Sequence, residues 1–207
     1  MATIQGNQIN KIRKMYVDKG MSMREISLSL NISMDAVVYC IRKNNIPRRS
    51  PQESNALVFK NKKLSFHEVS TLSHYQQKLK IAGSMLYWAE GYKSGLGNTT
   101  VDFANSDPEM ITVFTLFLRK IYRVDEKRLR VLLYCYSDQS VSELVRFWSK
   151  LTKIPENQFT KPYVREDFRK DGRKMKYGMI HVRYADKKLF LSILDSIEKM
   201  KKNMRRW

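Results

Sequence analysis

The chain has 207 residues, 43% of them apolar and 11% aromatic, which is enough for one medium domain plus a small one with real cores. Lys and Arg total 39 against 20 Asp and Glu, a formal charge of +19 with a pI near 10.0, and an excess of that size points to a polyanionic partner, nucleic acid ahead of an anionic membrane surface. No apolar run of about 18 residues occurs and residues 1–10 are polar, so the expectation is a chain without a membrane span or signal peptide, cytoplasmic and nucleoid-associated.

Cys40 and Cys135 fall in different predicted elements far from any histidine, which speaks against zinc and against a disulfide framework and leaves both as small buried apolar groups. His67, His74 and His181 are scattered, with no Ser or Cys nucleophile at a recognisable spacing. Phosphate-loop and dinucleotide fingerprints are absent.

Gln8 to Val17 reads as a first helix with Ile9, Ile12 and Tyr16 on one stripe, broken at Gly20. Ser22-Met23-Arg24-Glu25 is a capping box opening a second helix through Leu30. Asn31 suits the positive backbone angle of a tight turn, and Ser33 caps a third helix to about Asn44. Ile26, Ser27, Leu30, Ile32, Val37 and Ile41 fill core and close-packing positions, and the set resembles the resolvase-type or sigma-type helix-turn-helix family over residues 8–47. The resemblance assigns Ser33, Met34, Asp35, Val38, Tyr39, Arg42 and Lys43 to the face presented to the DNA major groove. Pro47-Arg48-Arg49-Ser50-Pro51 follows, either a minor-groove arm carrying Arg48 and Arg49 or a solvated linker. Residues 52–74 show weak periodicity and read as a tether, with a short helix open over 64–72.

Lys80 to Tyr92 reads as a helix in which Ala82, Gly83, Ser84 and Ala89 are small enough for another helix to approach, closed by Gly91 in a left-handed turn. Val101 and Phe103 point inward from a strand over 99–104, and Ser106 or Asp107 caps a helix with Pro108 at its first position and Ile111, Phe114, Leu118 and Ile121 on its apolar stripe. Arg128 to Tyr136 is a strand, and Ser140-Val141-Ser142-Glu143 reads as a capping box for a helix to about Lys153. Residues 159–169 and 174–184 read as a long hairpin turning at Asp171-Gly172, and Asp186 caps a last helix. The hairpin carries Lys161, Arg165, Arg169, Lys170, Arg173, Lys174, Lys176 and Arg183 with Tyr163, Tyr177 and Tyr184 interleaved, a surface suited either to a DNA groove or to guarding a strand edge.

Ala89-Glu90-Gly91 at the end of a small-residue helix, followed by a loop, a strand and the helix opened by Asn105-Ser106-Asp107-Pro108, resembles the LAGLIDADG homing-endonuclease fold. The resemblance implies a homodimer about Ala82, Gly83, Leu86 and Ala89, and a catalytic Mg²⁺ held at Glu90 beside Gly91. A basic helper near the scissile phosphate is implied too, with Lys93 the first candidate and His181 and Lys176 behind it. The short loop after Gly91, Glu in place of Asp, and an extra helix over 140–153 depart from the family pattern.

The fold expected is α+β: a three-helix domain over 1–50, a linker over 51–74, and a LAGLIDADG-like mixed α/β domain with an antiparallel sheet over 75–207. The function expected is sequence-specific binding of double-stranded DNA, with Mg²⁺-dependent cleavage as a homodimer or, alternatively, transcription regulation without cleavage.

Overall fold

Serine side chains start four of the helices by the same local chemistry, each hydroxyl accepting a hydrogen bond from a backbone N–H three residues on. The computed structural model describes residues 6–93, 99–166 and 175–205, and the chain divides between Lys63 and Leu64 into two units, each with its own core.

In the first unit, α1 (Gly6–Arg13) continues into one wider turn, Lys14–Asp18, and Gly20 ends it with φ at 66°. Helix α2 (Met23–Leu30) begins at the reciprocal Ser22–Glu25 box and stops at Asn31, whose φ of 51° supplies the left-handed turn. Helix α3 (Met34–Lys43) is capped by Ser33. Ile12, Met15, Tyr16, Ile26, Val37, Cys40, Ile41 and Ile46 form the core between them.

The stretch expected to be a tether is ordered. Ser50 and Glu53 form a further capping box, Pro51 takes the first helical position, and α4 (Pro51–Asn61) runs on within the first unit. Residues from Leu64 belong to the second unit, where His67 and Val69 donate backbone N–H groups to Tyr122 O and Ile121 O at 2.8 and 2.9 Å. Glu68 accepts from Lys80 at 2.8 Å and from Ser192 at 2.7 Å. Periodicity missed this segment because hydrogen bonds and single apolar contacts, Phe66 and Leu72 on the core, hold it rather than a repeating stripe.

The second unit is α+β, with a four-stranded mixed sheet. Its elements are α5 (His74–Glu90), β1 (Val101–Asn105), α6 (Pro108–Ile121), β2 (Leu129–Tyr136), α7 (Val141–Thr152), β3 (Tyr163–Arg165), β4 (Met179–Tyr184) and α8 (Lys187–Met204), in the sheet order β1-β4-β2-β3. The expected hairpin is not formed: β4 pairs antiparallel with β1 and β2, while β3 lies on the far side of β2 and runs parallel to it. Burial decides the placement. Ile180, Val182 and Tyr184 are fully buried and take β4 to the centre, whereas all three residues of β3 are exposed and sit at the edge. The sheet is therefore mixed, not wholly antiparallel. Tyr184, expected among the surface aromatics, is buried with its hydroxyl donated to Ser65 O.

The expected box at Ser140 is also absent, since Ser140 makes no cap bond and its hydroxyl meets that of Ser142 at 3.3 Å. Burial alternates along β1, β2 and β4, so one face meets a core of Phe103, Phe114, Phe117, Val131, Trp148 and Ile193 and the other turns outward, half-buried along most of its length and exposed at Arg130. Both cysteines are buried and unpaired, and burial pushes their thiols up.

Candidate nucleic-acid interface

The turn at Asn31 and the two serine caps fix α3 against α2, and what α3 leaves outward follows from its 3.6-residue period. Val37, Cys40 and Ile41 point into the core. Ser33, Met34, Asp35, Tyr39, Arg42 and Lys43 are exposed, Tyr39 at 62%, and Val38 is half-buried. Lys43 Nζ lies 5.5 Å from the centroid of the Tyr39 ring, so cation and aromatic share one patch. Of the residues expected on this face, all but Val38 are exposed.

The two arginines that follow part company. Arg48 is exposed. Arg49 turns inward: its guanidinium stacks 4.1 Å from the Tyr16 ring, Nη1 donates to Gly20 O at 2.8 Å, Nη2 donates to Met21 O, and its backbone N–H donates to the Tyr16 hydroxyl at 3.1 Å. Burial alone would raise the Tyr16 phenol, but the hydrogen bonds and charge of Arg49 bring it below its ordinary value. Arg49 therefore ties the segment after α3 to the turn after α1, and its expected place in a DNA-binding arm is corrected to a structural one.

On the second unit the open sheet face gathers side chains from all four strands. Register sets Asp102 opposite Arg183, Arg130 opposite Arg183, Leu132 opposite His181, Tyr134 opposite Tyr163 and Tyr136 opposite Arg165. Tyr134 and Tyr163 stack at 4.7 Å. Asp102 Oδ1 is 2.8 Å from His181 Nδ1 and Oδ2 accepts from Arg183 Nε at 2.8 Å. Burial raises the Asp102 carboxyl, but the hydrogen bond and charge of His181 and the charge of Arg183 outweigh it and hold the group below the usual carboxylate range.

Asp102, Arg130, Tyr134 and Tyr136 were not singled out from the sequence. The signal was the strict alternation of residues 129–136, which sets Arg130, Leu132, Tyr134 and Tyr136 on the face opposite Val131 and Leu133. Lys161, Arg165 and Lys176 are exposed, with Lys176 Nζ 5.1 Å from the Tyr177 ring. Arg169, Lys170, Arg173, Lys174 and the turn at Asp171-Gly172 lie outside the described residues.

Helix α5 begins earlier than expected, at the Ser73–Gln76 box, and its small residues divide between two sides. A Cβ at Gly83 would meet Phe117 at 2.2 Å, so Gly83 lets α6 pack against α5 within the chain and is not free for a second copy. Leu86 is half-buried against the same core. Ala82 and Ala89 are exposed, beside an outward stripe of Ile81, Met85 and Trp88. The expected dimer set is thus split.

Gly91 ends the helix without a left-handed angle, at φ −72°. Glycine is required there for space, because a Cβ would lie 2.5 Å from Tyr87 O and 2.4 Å from the Tyr87 ring. Lys93 donates to Gly91 O at 2.7 Å and Tyr87 O at 3.3 Å, so it closes the carbonyl end of α5. That occupies the ammonium expected to assist catalysis.

Glu90 is exposed at this end. Magnesium is held by one or two carboxylates with further oxygens. Among the described residues no group of three acidic, His or Cys side chains converges, and the Asp102 carboxylate is already engaged by His181 and Arg183. Among the described residues, Glu90 therefore belongs to no three-ligand metal group. Comparison with family models, curated proteins and solved structures returned no match for this chain. No helix among the described residues is long and apolar enough to cross a membrane.

Proposed function

We propose that this protein binds double-stranded DNA sequence-specifically, with α3 reading base edges in the major groove and the open face of the sheet engaging the backbone. The observation that carries the reading is α3 itself. It is a helix capped at Ser33 and set by the Asn31 turn, with Met34, Asp35, Tyr39, Arg42 and Lys43 outward, in a chain of charge +19. A cationic chain alone binds any duplex; a fixed helix with mixed polar, aromatic and basic side chains supplies discrimination. The arrangement fits a helix-turn-helix followed by a LAGLIDADG-like domain, working as a homodimer through the Ile81, Ala82, Met85, Trp88 and Ala89 side of α5. The test is selection from a randomised duplex pool. Recovery of one motif, two-fold related if the protein is a dimer, supports the proposal, and an unenriched pool after repeated rounds removes it.

A second reading, cleavage of the bound DNA, is favoured by the position of Glu90. It is exposed at the end of the helix whose outward side is apolar, so a second copy packed there brings two carboxylates together. Incubation with a plasmid library and Mg²⁺, with end-mapping, gives defined ends for wild type and none for Glu90→Gln under this reading. Equal cutting by the variant contradicts it; binding without cutting by both leaves a regulator.

A further inference from the structure

The open sheet face holds a cluster that neither the helix-turn-helix nor Glu90 uses. Asp102 divides its two oxygens between two side chains of β4, with Oδ1 at His181 Nδ1 and Oδ2 at Arg183 Nε, both at 2.8 Å. Each of the two is held by one ring or guanidinium nitrogen only. Nε2 of His181 and the terminal nitrogens of Arg183 have no hydrogen-bond partner among the described residues. The carboxylate is the most covered of the three, 17% exposed against 22% for His181 and 36% for Arg183.

We propose that Asp102, His181 and Arg183 form a phosphate site, with His181 and Arg183 as the contacting groups, Asp102 as the positioning residue, and occupancy that rises as His181 takes up a proton. The source of the phosphate, a duplex backbone, rests on the DNA-binding reading. A neutral imidazole that donates Nδ1–H to Asp102 presents a bare lone pair at Nε2 and repels a phosphate oxygen. A protonated one donates from both nitrogens and adds a charge-assisted bond to those from the Arg183 terminal nitrogens. The titratable and charged groups facing His181 are Asp102 on β1, Arg183 on its own strand, and Arg130 and Tyr134 on β2. Arg130 stands opposite Arg183 with no second carboxylate between them, so the described cluster keeps a positive balance even with His181 neutral. Arg130 itself is directed to Lys127 O and Leu129 O, both at 2.7 Å.

The experiment has two arms on the full chain. In the first, duplex affinity is followed against salt at about pH 5.5 and about pH 8, and each phosphate contact contributes about one to the slope of log K against log salt. His181→Gln should reduce the slope by about one at the lower pH and leave it unchanged at the higher, while Arg183→Gln reduces it at both. Asp102→Asn should reduce the slope at the lower pH, because the His181 ring and the Arg183 guanidinium are no longer held in place. In the second arm, inorganic phosphate is titrated while the ring resonances of the three histidines are followed by NMR, and one of them, absent in His181→Gln, should shift its titration upward.

A slope change supports a backbone phosphate. A ring shift with an unchanged slope supports the same site serving a free phosphate. Neither, in variants with wild-type melting, overturns the proposal. Absence of salt-dependent duplex binding by the wild type removes the DNA-binding reading and leaves the phosphate arm to decide this one.

Discussion

The two units carry basic side chains in different ways. On the first, Arg42, Lys43 and Arg48 stand free of the core while Arg49, one residue further, is folded against it on the Tyr16 ring. On the second, Arg183 is steered by a carboxylate from a strand 81 residues away in sequence, and Lys93 is spent on the end of α5. A count of charges therefore overstates what a partner meets. Which cations are available is set by the acceptors that the fold brings beside each one.

The largest expected effect tests where stability comes from in the second unit. Trp148 is fully buried and donates Nε1–H to Tyr177 O at 2.7 Å. Trp148→Ala should cost about 3–5 kcal/mol in denaturant unfolding of that unit. A reduction below about 1 kcal/mol would mean that α7 does not pack on the sheet through this side chain.

Next is the division between Arg48 and Arg49. Arg49→Ala should destabilise the first unit by about 1–3 kcal/mol, because it removes charged donors from the carbonyls of Gly20 and Met21. Arg48→Ala should leave the melting temperature alone and lower the salt slope of duplex binding by about one. Interchanged outcomes would reverse the assignment. In the same unit, Tyr39→Ala with Arg42→Ala should relax sequence preference by about 1–3 kcal/mol for each base pair no longer read, measured as the ratio of specific to random affinity. Equal weakening on both duplexes would make α3 a backbone-binding element only.

Smaller again are the caps. Ser73→Ala should cost about 1 kcal/mol, since its hydroxyl accepts from Gln76 N and Gln76 answers at Ser73 N, whereas Ser140→Ala, with no cap bond to lose, should cost a few tenths of that. The pH dependence concerns Asp102 and Glu68. Burial raises both carboxyls, and the partners His181 and Arg183 on one and Lys80 and Ser192 on the other bring both below the ordinary range. Their contribution is complete above the unfolded carboxylate pKa of about 4 and is lost as pH falls through the lower folded values. Stability between about pH 5 and pH 2 should therefore decline less steeply in Asp102→Asn than in wild type. Parallel curves would detach the carboxylate from its partners.

The same contrast explains what the sequence disclosed. The first unit was legible because its signals are local: Ser22 with Glu25, Asn31 and Ser33 each act within four residues, and α3 follows with its exposed face. The elements of the second unit from Val101 onward were legible too, since strand alternation, Pro108 at a first helical position and the Asp186 cap are also local. The pairing was not. That β4 goes between β1 and β2 and leaves β3 at the edge depends on contacts dozens of residues apart, and the basic residues around Tyr163 and Lys176 look alike whether or not they share a hairpin. Gly83 and Gly91 were singled out for small size or freedom, but their neighbours Phe117 and Tyr87 determine what each is for.

If the cations that the fold leaves available hold duplex DNA, they do so through many phosphate contacts at once. Duplex affinity across a salt series from about 50 to about 200 mM measures this directly. A linear fall of log K with log salt is expected, amounting to about 10³-fold or more over that range for six or more contacts. A flat response would contradict DNA binding by this protein.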